Sequence, residues 1–172
     1  MARLSMEHRN VARVSRVIFM CGPAGAGKST IARGLESDGM IRLSIDEAAW
    51  RLGCRTMPLE AGTQLAIEAA LQTRLLELVR SGSDVVLDFS FWSLKMREEY
   101  RRLVKPLGVR PETIYVQTPR EIALNRVRSR TTSHADDFKL SEDLATQYFD
   151  AFEPPTAEEG PLEVVVSPVD FR

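Results

Sequence analysis

A glycine-rich segment near the start of the chain constrains the fold more than any other feature. It follows directly on the apolar run Val17–Cys21 and consists of Gly22, Pro23, Ala24, Gly25, Ala26, Gly27, Lys28, Ser29 and Thr30. This is the spacing of a Walker A phosphate loop, in which a strand leads into a loop and then into a helix. Backbone N–H groups of such a loop and the positive end of the helix dipole converge on phosphate. The segment therefore predicts a nucleotide-binding site at the end of a strand.

Each residue type in the loop has its own expected task. The glycines let the backbone turn tightly and approach the phosphates closely. Lys28 is predicted to reach the β- and γ-phosphates, and the Ser29 hydroxyl is predicted to ligate Mg²⁺. We therefore expect a nucleotide and Mg²⁺ as cofactors. The nucleotide is expected to be ATP, because the chain contains no guanine-specifying Asn-Lys-x-Asp motif. The alternative is a chance match in a flexible loop.

The composition is typical of one small enzyme domain. The 172 residues with 44% hydrophobic content suffice for one sizeable core, so we expect a single domain over 1–172 with 1–14 as a flexible N-terminal extension. Lysine and arginine total 23 against 24 aspartate and glutamate, which gives no net field for nucleic acid or membrane. Two cysteines make no disulfide framework, which fits a reducing cytoplasm. We expect a monomer or a homodimer without a membrane partner.

Short β-branched runs alternate with longer helical patterns, which predicts an α/β fold with parallel strands joined by helical crossovers. The predicted strands are Val17–Cys21, Met40–Leu43, Asp84–Asp88, Thr113–Gln117 and Leu162–Val166.

Two helix boundaries carry recognisable signals. Thr118 is predicted to cap a helix in which Pro119 takes the first position and Glu121 completes a capping box. Pro58 is predicted to open a long helix that Gly82 ends.

Two carboxylates follow predicted strands, where ligands bind in open parallel sheets. Asp46 is predicted to accept the proton of an acceptor hydroxyl as general base. Ser44 and Glu47 have capping-box spacing, so a helix is expected to start here. Asp46 could then simply be a first-turn residue whose negative charge is favoured by the helix dipole. Asp88 closes an apolar run like a Walker B carboxylate and is predicted to help hold Mg²⁺, the alternative being a turn-forming residue.

An arginine-rich helix is predicted after the fourth strand. Arg126 and Arg130 lie four residues apart and share a face, from which they could brace the migrating phosphoryl group. The polar segment at about 130–140 would act as a lid that excludes water. The alternative is a solvated basic face on a surface helix.

Aromatic and basic residues near the two carboxylates are candidates for an acceptor pocket. Rings at such positions either contact a planar substrate or fill the core. The nearby arginines either bind an anionic group or lie on the surface. The predicted substrate-contacting residues are Asp46, Trp50, Arg51, Phe91, Trp92 and Arg97.

These pieces together resemble a known group. The similar segments are Gly22–Thr30, Ser44–Asp46, Val85–Asp88 with Phe91, Trp92 and Arg97 beyond it, Arg126–Arg130 and Phe152–Pro155. The chain resembles small P-loop kinases of the nucleoside-monophosphate-kinase-like class, in the AAA-family ATP-binding branch with polynucleotide kinase, chloramphenicol phosphotransferase-like and zeta-toxin-like enzymes.

The resemblance implies a three-layer α/β fold with a five-stranded parallel sheet in the order 2-3-1-4-5, an arginine lid, and ATP as phosphoryl donor. It implies that Asp46 activates the acceptor hydroxyl and that Arg126 packs on adenine or touches its phosphates. It also implies that the segment containing Ser167 and Pro168 borders the adenine.

The function expected from these features is an ATP-dependent kinase that phosphorylates a hydroxyl of a small molecule such as an antibiotic, a nucleoside or a sugar. A 5′-hydroxyl polynucleotide kinase is the alternative enzyme, although the chain lacks the basic surplus expected for gripping long nucleic acid. A non-catalytic ATP-binding regulatory module is the alternative of another class.

Overall fold

The computed structural model describes residues 13–135 and 138–167, and its five strands form one parallel sheet. The sheet order β2-β3-β1-β4-β5 confirms the order that the resemblance implied. In chain order the elements are β1 (Val17–Cys21), α1 (Lys28–Ser37), β2 (Ile41–Ser44), α2 (Ile45–Arg51), α3 (Ala61–Arg80), β3 (Val85–Asp88), α4 (Leu94–Val104), β4 (Glu112–Gln117), α5 (Arg120–Arg128), α6 (Glu142–Asp150) and β5 (Leu162–Val166). Each predicted strand agrees with an observed one to within one residue at either end.

The central strand β1 is buried on both faces, and its alternating side chains supply two separate cores. Phe19 faces a core that includes Leu75 of α3 and Tyr100 of α4. Ile18 faces the opposite core, which includes Ala32 of α1. Helices therefore cover both faces of the sheet, and the predicted three-layer α/β arrangement is confirmed.

Strand register places the two predicted carboxylates at the same edge of the sheet. Ser44 at the end of β2 is paired with Asp88 at the end of β3, and Asp46 follows two residues after Ser44. Val17 at the start of β1 pairs with Val85, so β1 also ends at this edge. The phosphate loop and both carboxylates consequently share one end of the sheet, as expected for parallel strands.

Both predicted helix starts are wrong in detail. Thr118 does not cap α5, because its hydroxyl donates to the Ala26 carbonyl at 3.1 Å, and Pro119 occupies the cap position itself. Helix α3 begins at Ala61, where the Glu60 carboxylate accepts from two backbone N–H groups of the first turn. Pro58 lies before this cap.

Two further expectations concern the N-terminal extension and the end of helix α3. Of the expected extension 1–14, residues 1–12 lie outside the described residues, whereas Arg13 forms an ion pair with Asp84. Gly82 follows the end of α3 with a φ of 82°, in agreement with the predicted stop. None of the helices within 13–135 and 138–167 combines the length and apolarity needed to cross a membrane.

Candidate active site

The phosphate loop connects the buried strand β1 to helix α1, as the motif predicts. Gly27 occupies the N-cap position with a φ of 101°, in the left-handed region that favours glycine. No side chain caps α1, and its first turn holds no acidic residue. Its N–H groups therefore stay available as donors to an anion at the positive end of the helix dipole.

Neighbouring segments hold the loop from two sides. The Gly22 N–H donates to the Ser90 carbonyl at 3.1 Å, which joins the loop to the segment after β3. Gly25 packs against the backbone of α5, where a Cβ would lie only 2.2 Å from the Ala123 carbonyl oxygen. The Thr118 hydroxyl, directly after β4, donates to the Ala26 carbonyl of the loop. The loop is thus held in a defined shape by contacts distant in sequence.

The Lys28 side chain folds back over the phosphate loop. Its Nζ donates to the Pro23 carbonyl at 2.8 Å. Burial lowers the pKa of this amino group, while the negative charges of Asp88 and Asp46 act in the opposite direction. The Lys28 cation therefore interacts with Asp46 and Asp88, the two carboxylates predicted at this site.

Asp46 lies in the first turn of α2, directly after β2. Ser44 caps this helix by accepting from the Glu47 N–H at 3.2 Å, so one half of the alternative capping-box interpretation is present. Burial raises the pKa of the Asp46 carboxyl above its ordinary value, and the nearby Asp88 adds to this effect. Lys28 lowers the pKa in opposition. A carboxylate with a raised pKa is a stronger proton acceptor.

Asp88 has a partner that sequence reasoning missed. The Arg42 guanidinium donates to Asp88 Oδ2 from Nη2 at 2.7 Å and from Nε at 2.9 Å, and the side chains are 5% and 2% exposed respectively. Arg42 also donates to Glu47 at 3.2 Å. The sequence does contain a signal for this pair, because Arg42 lies within a short strand of a buried sheet. A buried charge requires a counter-charge.

The donor set around the loop fits a magnesium ion held mainly by nucleotide. Among the described residues no three His, Cys, Asp or Glu side chains could hold a metal by themselves. Mg²⁺ in nucleotide sites takes one or two protein oxygens, together with phosphate and water. Ser29 at the start of α1 and Asp88 at the end of β3 supply oxygens of the required type.

Of the two predicted lid arginines, Arg126 lies in α5, whereas Arg130 lies two residues beyond the end of that helix and does not share the predicted helix face. Arg126 donates from Nη1 to the Ser167 hydroxyl at 2.7 Å and to the Gly25 carbonyl at 3.4 Å. Arg130 donates to the Phe138 carbonyl at 3.0 Å, and its positive charge lowers the pKa of Asp46. The predicted adenine-border residue Pro168 lies outside the described residues.

The residues predicted to contact the acceptor have different surroundings in the structure. Trp50 makes an edge contact with Phe138, with ring centroids 5.7 Å apart, and carries the Arg55 guanidinium over its face. Arg51 is exposed and pairs with Glu47 of the same helix. Trp92 is 50% exposed and is therefore accessible to a ligand.

Phe91 and Arg97 are both buried and bonded within the protein, so their surroundings do not support the expected substrate contact. Phe91 has no exposed surface, stacks on Phe19 with centroids 4.3 Å apart and adopts a φ of 44°. Arg97 is 1% exposed and donates to Glu159 at 2.7 Å and to the Phe91 carbonyl at 2.8 Å. Both residues shape the segment after β3 that contacts the phosphate loop.

Three solved structures illustrate the fold similarity. A sugar kinase from Janibacter sp. HTCC2649 has 17% sequence identity and a TM-score of 0.65, with 88% of this chain and 85% of that chain covered. The Mycobacterium tuberculosis APS kinase in complex with AMPPNP and APS has 16% identity and a TM-score of 0.61, with 88% of each chain covered. A chain of the Pnkp1/Rnl/Hen1 RNA repair complex has 15% identity and a TM-score of 0.71, with 83% of this chain and 45% of that chain covered.

The sequence comparisons give one family. A search of curated proteins finds no match. The AAA domain profile matches residues 17–155, which include the phosphate loop, both carboxylates and both lid arginines. The chain has the P-loop fold of these kinases and belongs to the AAA domain family.

Proposed function

We propose that this protein is an ATP-dependent kinase that transfers the γ-phosphoryl group to a hydroxyl of a small molecule. The observation that carries the proposal is the position of Asp46, which follows strand β2 at the same edge of the sheet where β1 leads into the phosphate loop. A nucleotide-binding module needs the loop alone. A kinase also needs a proton acceptor close to the site of transfer.

Asp46 acts as the general base in this proposal. The acceptor oxygen attacks the γ-phosphorus as the bond from that phosphorus to the β–γ bridging oxygen breaks, and the hydroxyl proton passes to the Asp46 carboxylate. The products are the phosphorylated alcohol and ADP. Burial raises the pKa of Asp46, which brings the carboxylate closer to the proton affinity suited to this task.

The phosphates are held by the loop and by cations. Lys28 and the N–H groups at the start of α1 bind the β- and γ-phosphates. Arg126 and Arg130 stabilise charge on the transferred group. When bound, Mg²⁺ neutralises phosphate charge, and Ser29 and Asp88 are the residues that would hold it.

The segment around Phe138 closes the site against water. Phe138 is buried among side chains that include Ala49 of α2 and Ile67 of α3, and its carbonyl accepts from Arg130. Docking of this ring therefore couples the acceptor side of the site to a lid arginine. Such closure favours transfer to an alcohol over hydrolysis of ATP.

A small hydroxylated acceptor suits the charge of the chain, which is −1 overall. The sugar kinase similarity is consistent with this class, whereas the RNA repair similarity keeps 5′-hydroxyl ends as the second candidate. Salt separates the two, because binding of a polynucleotide weakens steeply with ionic strength and binding of a neutral alcohol does not.

The proposal is tested with Asp46→Asn, using Glu36→Gln on the exposed face of α1 as the matched control. We expect Asp46→Asn to bind ATP with nearly unchanged affinity and to transfer phosphate about 100-fold or more slowly. The control should match the wild type in both measurements. Equal transfer rates in the two variants would exclude Asp46 as the base.

A further inference from the structure

A cavity of about 570 Å³ lies at the end of the sheet opposite the phosphate loop. It is bordered by the end of α4, by the turn that follows it and by the loop leading into β4. All five strands are parallel, so the start of β4 and the end of β1 lie at opposite edges. Its volume is in the range of small-ligand sites. The cavity is separate from the candidate active site.

The cavity wall is strongly cationic. Its charged lining residues are Glu98, Arg101, Arg102, Lys105, Arg110 and Glu159. Four cations against two carboxylates leave an excess positive charge in a chain whose overall charge is −1. Clustered like charges repel one another unless an anion lies between them. The charge pattern therefore favours an anionic ligand.

One of these cations is fixed and three are available. Arg101 is held by Glu159 at 3.0 Å and by the Thr113 hydroxyl at 3.3 Å. Among the described residues no ion pair joins Arg102, Lys105 or Arg110 to a carboxylate, and all three are exposed. A fixed guanidinium with three exposed cations beside it can clamp a ligand that carries several anionic groups.

We propose that this cavity is a second anion site, which binds a small molecule carrying several phosphate groups. Guanidinium groups pair with phosphate oxygens in a forked geometry, and the separated cations match several charges better than one. Glu98 and Glu159 place two negative charges in the same lining, which disfavours a long nucleic acid strand. The buried Val109 and Pro111 supply an apolar surface beside the charged groups.

Calorimetric titration with inorganic tripolyphosphate tests the proposal. The cavity variant is Arg102→Gln, Lys105→Gln, Arg110→Gln, and the control removes three other exposed cations through Arg74→Gln, Arg80→Gln, Lys95→Gln. A third variant, Lys28→Ala, weakens the phosphate loop only. We expect the cavity variant to lose one binding event, with affinity reduced about tenfold or more, while the control and Lys28→Ala retain it.

Amide chemical shifts locate the bound probe independently of affinity. In the Lys28→Ala protein, tripolyphosphate should shift signals from residues 98–111. The proposal is overturned if Lys28→Ala abolishes all binding of tripolyphosphate. It is also overturned if the cavity and control variants bind tripolyphosphate alike, because the cations would then interact only with the α4 dipole. Tighter cavity-dependent binding of a single-stranded oligonucleotide than of tripolyphosphate would overturn the small-ligand assignment.

Discussion

Replacement of Gly25 by alanine tests whether close packing against α5 fixes the phosphate loop. Gly25 has a φ of 79°, and an added Cβ would lie 2.2 Å from the Ala123 carbonyl oxygen and 2.9 Å from its carbonyl carbon. Both contacts are with backbone, so no side-chain rotation relieves them. The loop and the helix must separate by about 1 Å before an ordinary contact distance is reached.

Gly27→Ala is the matched control, because Gly27 also has a positive φ, of 101°, but an added Cβ meets no atom within 4 Å. A left-handed backbone costs a non-glycine residue about 1–2 kcal/mol, and this strain applies to both variants. Overpacking adds about 1–3 kcal/mol at Gly25 alone. We therefore expect Gly25→Ala to lower the free energy of unfolding by about 2–5 kcal/mol and Gly27→Ala by about 1–2 kcal/mol.

Urea unfolding of the nucleotide-free proteins measures this difference without any contribution from a bound phosphate. A calorimetric titration with ATP then reports whether the displaced loop still binds. Equal losses of stability in the two variants would refute the packing argument, since they would leave backbone strain as the sole cost.

Three further perturbations concern Arg97, Asp46 and Phe138. Arg97→Met should lower the free energy of unfolding by about 3–5 kcal/mol in urea, because it removes the cation from a buried ion pair, and a loss below about 1 kcal/mol would contradict this. Asp46→Asn should raise the midpoint of thermal unfolding at pH 7. The pKa of Asp46 is raised by folding, so its stabilising contribution is greatest below the ordinary value of 3.8 and is lost as pH rises through the folded pKa; an unchanged pH dependence in the variant would refute this. Phe138→Ala should make residues 131–135 and 138–140 more sensitive to limited proteolysis while amide exchange in β1 stays slow, because Phe138 is 1% exposed; unchanged cleavage would show that the ring does not hold these residues in place.

The sequence predicted the fold because its signals are local. Strand positions follow from short apolar runs, and the loop from Gly22 to Thr30 requires a strand before it and a helix after it. The order of the strands came from family resemblance, because nothing local distinguishes one neighbour of β1 from the other.

Contacts distant in sequence account for what was missed. Thr118 has the spacing of a helix cap, yet tertiary packing directs its hydroxyl to Ala26 of the phosphate loop. The local sequence allows Arg97 to be a surface or substrate residue, but in the fold it pairs with Glu159, which is 62 positions further along the chain. No local pattern distinguishes Arg42, because its importance depends on Asp88 in the adjacent strand. Pairings of this kind are determined by the fold rather than by local spacing.

The central claim is that Asp46 accepts the proton of an acceptor hydroxyl during transfer from ATP. The most direct measurement is product mass after incubation with Mg²⁺ and ATP across aminoglycosides, phenicols, nucleosides, sugars and 5′-hydroxyl oligonucleotides, for the wild type and for Asp46→Asn. We expect one acceptor class to gain a phosphate with the wild type and barely to react with the variant, while both proteins bind ATP. Tight ATP binding without transfer to any acceptor, or equal product from both proteins, would contradict it.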